Sequence, residues 1–226
     1  MSKRKQQTTT EKMNLKIVIV GDGGVGKTSY FERFCYGDED YYKFNLEYDV
    51  TQGCNIAQVF TKDKDTEINI HLFDMGAQDI FSKTRDSNMH GVDAMFIMYS
   101  IPEKQTQYSV MKKWIPDIKR YMKENGIKNI PVAVIGNKND LVPGIDKGSE
   151  NINEHASIRQ TPLLGLYDEG PVRNFVMSVK TGKGMTDPIN WAIEKINDSK
   201  LWFFQKSTPV NITSTSKKPK VTMCNK

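Results

Sequence analysis

The apolar run Leu15, Ile17, Val18, Ile19, Val20 gives way at once to "GDGGVGKTS", residues 21–29. Four glycines in so short a loop are costly to order, because glycine loses more backbone freedom on folding than any other residue. The run suits a buried parallel strand, and residues 27–36 read as a helix. Gly21, Gly26, Lys27 and Thr28 fit G-x-x-x-x-G-K-[ST] in that strand–loop–helix setting. Glycines there let backbone N–H groups turn inward around phosphate oxygens, and the helix adds its positive N-terminal dipole. Lys27 is placed to reach β- and γ-phosphates, and the Thr28 hydroxyl to ligate Mg²⁺. The loop formed by Gly21, Asp22, Gly23, Gly24, Val25, Gly26, Lys27, Thr28 and Ser29 therefore calls for a nucleoside triphosphate. It does not name the base or the reaction.

Strand-like and helix-like stretches alternate beyond the loop. Residues 54–61 and 67–74 read as a hairpin turning through "DKDT", with alternation at Ile68, Ile70 and Leu72. Ala94–Ser100, Val132–Gly136 and Asn174–Ser178 read as further strands. Residues 187–197 form a last helix. Residues 106–124 place Tyr108, Met111, Ile115, Ile118 and Met122 at helical spacing, with Pro116 expected to remove one backbone bond and bend the helix. The pattern predicts an α/β fold: a mostly parallel six-stranded sheet with one antiparallel edge strand and helices on both faces. Residues 144–173 carry turn signals and weak periodicity.

The net charge of +5 is uneven. Lys3, Arg4, Lys5 and Lys12 against Glu11 give residues 1–14 a charge of +3, and five lysines with no acid give residues 205–226 a charge of +5. The body is left at −3, so its surface is not that of a nucleic-acid binder. The predicted organisation is a flexible basic tail over 1–13, one domain over 14–204, and a second flexible basic tail over 205–226. No apolar run reaches 18 residues, so no transmembrane helix is expected. Cys35, Cys54 and Cys224 are too few and too scattered for a disulfide framework, which points to a reducing compartment.

"GNKND", residues 136–140, follows a predicted strand and so sits where ligands bind in such sheets. The Asp140 carboxylate can accept both N1–H and N2–H₂ of guanine, a donor pair adenine lacks. Asn137 can bond the other edge of the base, and the Lys138 stem can lie along its face. In "HLFDMGAQD", residues 71–79, Asp74 ends a strand and can hold Mg²⁺ through water, while Gln78 is a candidate for orienting an attacking water.

Together these boxes resemble the Ras superfamily of small GTPases over roughly residues 14–200. "SVKTG" (178–182) resembles the family's last box, and "FNLEYDVT" (44–51) its effector switch. The resemblance implies that the backbone of Ser178, Val179 and Lys180 approaches the guanine oxygen and that Lys180 packs on the ring. It implies that Phe44 meets the guanine edge-on, that Tyr48 closes over the phosphates, and that Thr51 binds Mg²⁺ when a γ-phosphate is present. GTP, GDP and Mg²⁺ are the implied ligands. Effectors, exchange factors and GTPase-activating proteins would read switch segments 38–53 and 74–90, with the chain a monomer. No arginine lies in 37–53 to act as a built-in finger, so slow hydrolysis and a need for an activating protein are expected.

The family reads D-x-A-G-Q where this chain reads Asp74-Met75-Gly76-Ala77-Gln78. Ala77 thus stands where the family has the glycine whose N–H meets the γ-phosphate. Alanine keeps the N–H but restricts φ. Two readings follow: slower hydrolysis with a stiffer second switch, or normal function with Gly76 supplying the freedom.

Three stretches look most like the Ran-type GTPases of nuclear transport: "GDGGVGKT", the T-x-G at Thr51–Gly53, and "INDSKLWFF". The basic end differs from the acidic tail of that type. Cys224 is followed by two residues, Asn225 and Lys226, so no prenylation box is recognised, and Ser2 excludes myristoylation. The expected location is the cytoplasm, with the nucleus as a second place reached through "KKPK". The expected function is a GTP-hydrolysing switch of Ran-like or Rab-like role in intracellular transport. A nucleotide-binding interaction module with weak or no hydrolysis is the alternative. A phosphate-loop kinase or ATPase has no use for Asp140.

Overall fold

The structure, a computed structural model, describes residues 11–37, 51, 53–63, 66–76, 86–142, 170–200 and 220–223. Strand β1 (Glu11–Gly21) sends alternate side chains to two apolar clusters. Leu15, Ile17 and Ile19 enter one, Val18 and Val20 the other. A strand covered on both faces needs apolar residues at every position, which is why Ile17–Val20 is continuously apolar. β1 pairs in parallel with β3 (Thr66–Met75) on one side and β4 (Ala94–Ser100) on the other. β5 (Val132–Asn137) and β6 (Val172–Val176) extend the parallel arrangement beyond β4. β2 (Cys54–Asp63) runs antiparallel to β3. The expected six-stranded, mostly parallel sheet is present. A seventh short strand, β7 (Lys220–Met223), pairs antiparallel with β2, and the order is β6-β5-β4-β1-β3-β2-β7.

Two boundaries differ from the sequence expectation. Residues 11–13, read as tail, belong to β1 and pair with 66–68. Residues 220–223, also read as flexible tail, pair with 55–58. Both pairings are made by backbone groups, so polar side chains do not prevent them. β7 also covers the open side of β2, as edge strands generally need.

One face of the sheet carries α1 (Lys27–Tyr36) and α5 (Asp187–Lys200), through Tyr30, Phe31, Ile189, Ala192 and Ile193. Met89 of the short α2 (Asp86–Met89) packs on the other face. A long helix also lies there: α3 (Lys104–Ser109), a π turn (Val110–Trp114) and α4 (Ile115–Glu124). Pro116 does not break this helix. The Ile115 N–H bonds Val110 O, five residues back, and the widened turn absorbs the proline next to it. The widening inserts one residue and shifts the helical phase before it. Val110 and Trp114 therefore face the core, while Tyr108, expected there, is 54% exposed. β6 begins and ends two residues earlier than predicted, because the chain leaves the sheet at Met177 to form the next loop.

Candidate functional site

The carboxyl ends of β1, β3 and β5 bring Gly21, Asp74 and Asn137 to one rim of the sheet, with Ile19 opposite Asp74 and Ser100 opposite Asn137. β1 has a neighbour on each side, so the loops leaving it open into a crevice of the kind that binds ligands in such sheets. The phosphate loop fills that crevice. Gly26, at φ +96°, is doubly required: a Cβ there would meet Asn137 Nδ2 at 2.4 Å. α1 begins at the next residue, Lys27.

Lys27 is 6% exposed and donates through Nζ to the carbonyls of Gly21 at 2.9 Å and Asp22 at 2.7 Å. Two of its three protons thus brace the loop. Burial lowers its pKa, opposed by Asp74 and then Asp22, with Lys113 pushing the same way as burial. A phosphate beside it would favour the charged form again.

Thr28, Thr51 and Asp74, named from sequence as metal ligands, come together. Thr28 Oγ1 donates to Asp74 Oδ2 at 2.7 Å and lies 2.8 Å from Thr51 Oγ1. A hydroxyl has one proton, so Thr51 is the donor to Thr28. Asn55 Nδ2 adds a bond to Asp74 Oδ2 at 3.2 Å. Asp74 is fully buried, and its Oδ1 has no partner among the described residues. Burial raises its pKa, opposed by the Thr28 bond, the charge of Lys27 and the Asn55 bond. A buried carboxylate bonded to one of two paired hydroxyls, with its other oxygen unsatisfied, is a hard, all-oxygen donor set of the kind that suits Mg²⁺. Gly76 closes this corner. Its N–H bonds Gly53 O at 3.0 Å, and a Cβ on it would lie 2.4 Å from Thr51 O. What its missing side chain permits is therefore the close approach of Thr51 and Gly53, since its φ is not positive.

The base-loop residues also converge. Asn137 is 3% exposed; its Nδ2 donates to Val25 O at 2.9 Å and its Oδ1 accepts from the Val179 N–H at 3.0 Å. It ties the phosphate loop to the loop after β6, and one amide proton stays free for a base. Asp140 Oδ1 accepts from Ser178 Oγ at 2.6 Å, and the Thr181 N–H donates to that hydroxyl at 3.1 Å. These bonds orient the carboxylate. Lys138 sits at φ +65° with Nζ 2.8 Å from Glu103 Oε1, an ion pair that fixes the run of its stem. From α1, the Arg33 guanidinium donates to the carbonyls of Val179 and Lys180.

Phe44, Tyr48, Ala77 and Gln78 lie outside the described residues, as does most of 38–53 and of 77–90. Three residues that sequence reasoning passed over hold the site together: Arg33, Asn55 and Trp114, whose indole N–H donates to Asp22 Oδ1 at 2.8 Å. Pro116, two residues after Trp114, was the one sequence signal of an irregularity here. Arg33 and Asn55 gave none. No helix among the described residues is long and apolar enough to cross a membrane.

A family model described as the Ras family matches residues 16–198, most of the chain. Among similar proteins, the Rho-related protein racE of Dictyostelium discoideum is 25% identical over 187 residues, 82% of this chain and 78% of that protein. The name of that relative does not repeat the Ran-like resemblance of the sequence. The extent of the family match, over a sheet rim where the residues expected from sequence at phosphate, metal and base converge, places the chain: it belongs to the Ras family, as a small GTPase of the GTP-binding switch type.

Proposed function

We propose that the chain hydrolyses GTP to GDP in a Mg²⁺-dependent cycle and signals through the segments around Thr51 and Asp74. One observation carries the reading: Thr28 Oγ1 bonds both Thr51 Oγ1 and the buried Asp74 carboxylate, whose other oxygen has no partner among the described residues. Thr28, Thr51 and Asp74 are the residues that would hold Mg²⁺, and the ion would neutralise charge on the phosphate oxygens. Lys27 supplies the protein's own cation to the β- and γ-phosphates. Asp140, oriented by Ser178, selects guanine by accepting its paired donors. Thr51 couples nucleotide state to shape, because its hydroxyl belongs to the metal set while its backbone is packed against Gly76. Gln78 would orient the attacking water. The intrinsic rate is slow, since residues 37–53 offer no arginine.

The second reading, a binding module with little turnover, is favoured by Ala77 in place of the family's glycine. A Ran-like or Rab-like transport role rests on three short stretches of likeness, and the Rho-related relative adds nothing to it. The test is single-turnover hydrolysis of Mg²⁺·GTP by the purified chain, once it is seen to load GTP and not ATP. Slow turnover abolished by Gln78→Leu supports the switch. An inert wild type restored by Ala77→Gly would establish the binding module instead.

A further inference from the structure

Asp22 places an acidic side chain in a loop shaped to receive anions, and something must hold it away from them. Trp114 does so: it is 1% exposed and donates its indole N–H to Asp22 Oδ1 at 2.8 Å, across 92 positions of chain. The Asp22 carbonyl meanwhile accepts from Lys27 Nζ at 2.7 Å. Its side chain and its main chain are thus tied to different elements. The π turn aims the indole, because the extra residue between Val110 and Ile115 rotates Trp114 toward β1 and the loop. Widened turns of this kind occur frequently at functional sites. Lys113 Nζ lies 4.6 Å from the indole centroid and steadies the ring face.

We propose that Trp114 is a positioning residue for nucleotide binding, which acts through Asp22 on the 22–23 peptide of the phosphate loop. The inference rests on the guanine-nucleotide reading above. A trans peptide carries its C=O and N–H in one plane, so holding the Asp22 carbonyl sets the Gly23 N–H as well. The indole bond also draws the Asp22 charge to one side of the loop. Without it, that carboxylate is free to turn toward the phosphates and oppose them.

The experiment measures release of a fluorescent GDP analogue from the full chain, for wild type, Trp114→Phe, Asp22→Ala, Asp22→Asn and the Trp114→Phe/Asp22→Ala double variant. A lost bond to a charged group corresponds to about tenfold or more faster release for Trp114→Phe and for Asp22→Ala. The double variant should release no faster than the worse single one. Asp22→Asn, whose amide oxygen still accepts from the indole, should recover most of the loss. Tryptophan emission gives an independent signature: Asp22→Ala should shift it in the wild-type background and not in Trp114→Phe, which retains Trp191 and Trp202. Wild-type release rates in Trp114→Phe, additive effects in the double variant, or an Asp22→Asn as fast as Asp22→Ala would each overturn the proposal. So would a lowered melting temperature with unchanged release. A wild-type chain that retains no guanine nucleotide would sink the proposed function, and this inference with it.

Discussion

Replacing Asn137 by alanine tests the tie between the two halves of the nucleotide site. The side chain bridges Val25 O and the Val179 N–H, two groups on residues no more than 1% exposed. Alanine leaves both buried groups without a partner, at about 1–3 kcal/mol each, or about 2–6 kcal/mol together. For a domain of this size each kcal/mol lowers the melting temperature by about 2–4 °C, so a middle value of about 4 kcal/mol gives a drop of about 8–16 °C. Both loops belong to the site, so nucleotide release should quicken as well. Asn137→Asp is a sharper variant: a carboxylate can still accept from Val179 but cannot donate to Val25 O, and would set two oxygens against each other. The assay is thermal unfolding with excess GDP and after stripping, alongside GDP release. A melting temperature within about 2 °C of wild type, under about 1 kcal/mol by the same conversion, would refute the bridging role.

Arg33→Ala removes the clamp on the Val179 and Lys180 carbonyls and should speed GDP release by about tenfold while leaving the single-turnover hydrolysis step unchanged, because those carbonyls belong to the base loop and not to the residues expected at the phosphates and metal. A slowed hydrolysis step with normal release would contradict this. Gly76→Ala would bring a Cβ to 2.4 Å from Thr51 O, so it should weaken GTP binding more than GDP binding, as read by competitive titration; equal effects on both would count against the packing argument. Lys138 holds the Glu103 carboxyl below its usual value. That pair therefore adds stability above the unfolded pKa, near 4.5, and loses it as pH falls through the lower folded value. Both partners are partly exposed, so acid titration of unfolding should differ between wild type and Glu103→Gln by less than about 1 kcal/mol. Burial pushes the Cys35 thiol up to about 12, so a thiol reagent at mildly alkaline pH should leave it unmodified until the chain unfolds.

The phosphate-loop motif was readable because it is local. Gly21 to Thr28 is one continuous stretch, and its glycines answer backbone constraints that neighbouring residues set. The α/β order was readable because a strand segment buried on both faces is a run of apolar residues, as in Ile17–Val20, Ala94–Met98 and Val132–Ile135. Helical spacing failed at Tyr108 for a specific reason: periodicity marks the buried face of a uniform helix, and the π turn inserts one residue before Ile115.

The sequence by itself determined that a phosphate-loop motif stands between a strand and a helix and that Asp74 lies at a strand end, and its "GNKND" box carried the expectation that Asp140 selects guanine. Only the tertiary structure decided how they become one site. Asn137 reaches back 112 positions to Val25, Arg33 forward 147 to Lys180, and Trp114 back 92 to Asp22. Such bonds depend on which strands lie side by side, and no spacing along the chain encodes them. The same holds for Gly76. Sequence marked it as displaced from the family pattern, but its use, the approach of Thr51, exists only once Thr51 and Gly53 lie beside the end of β3.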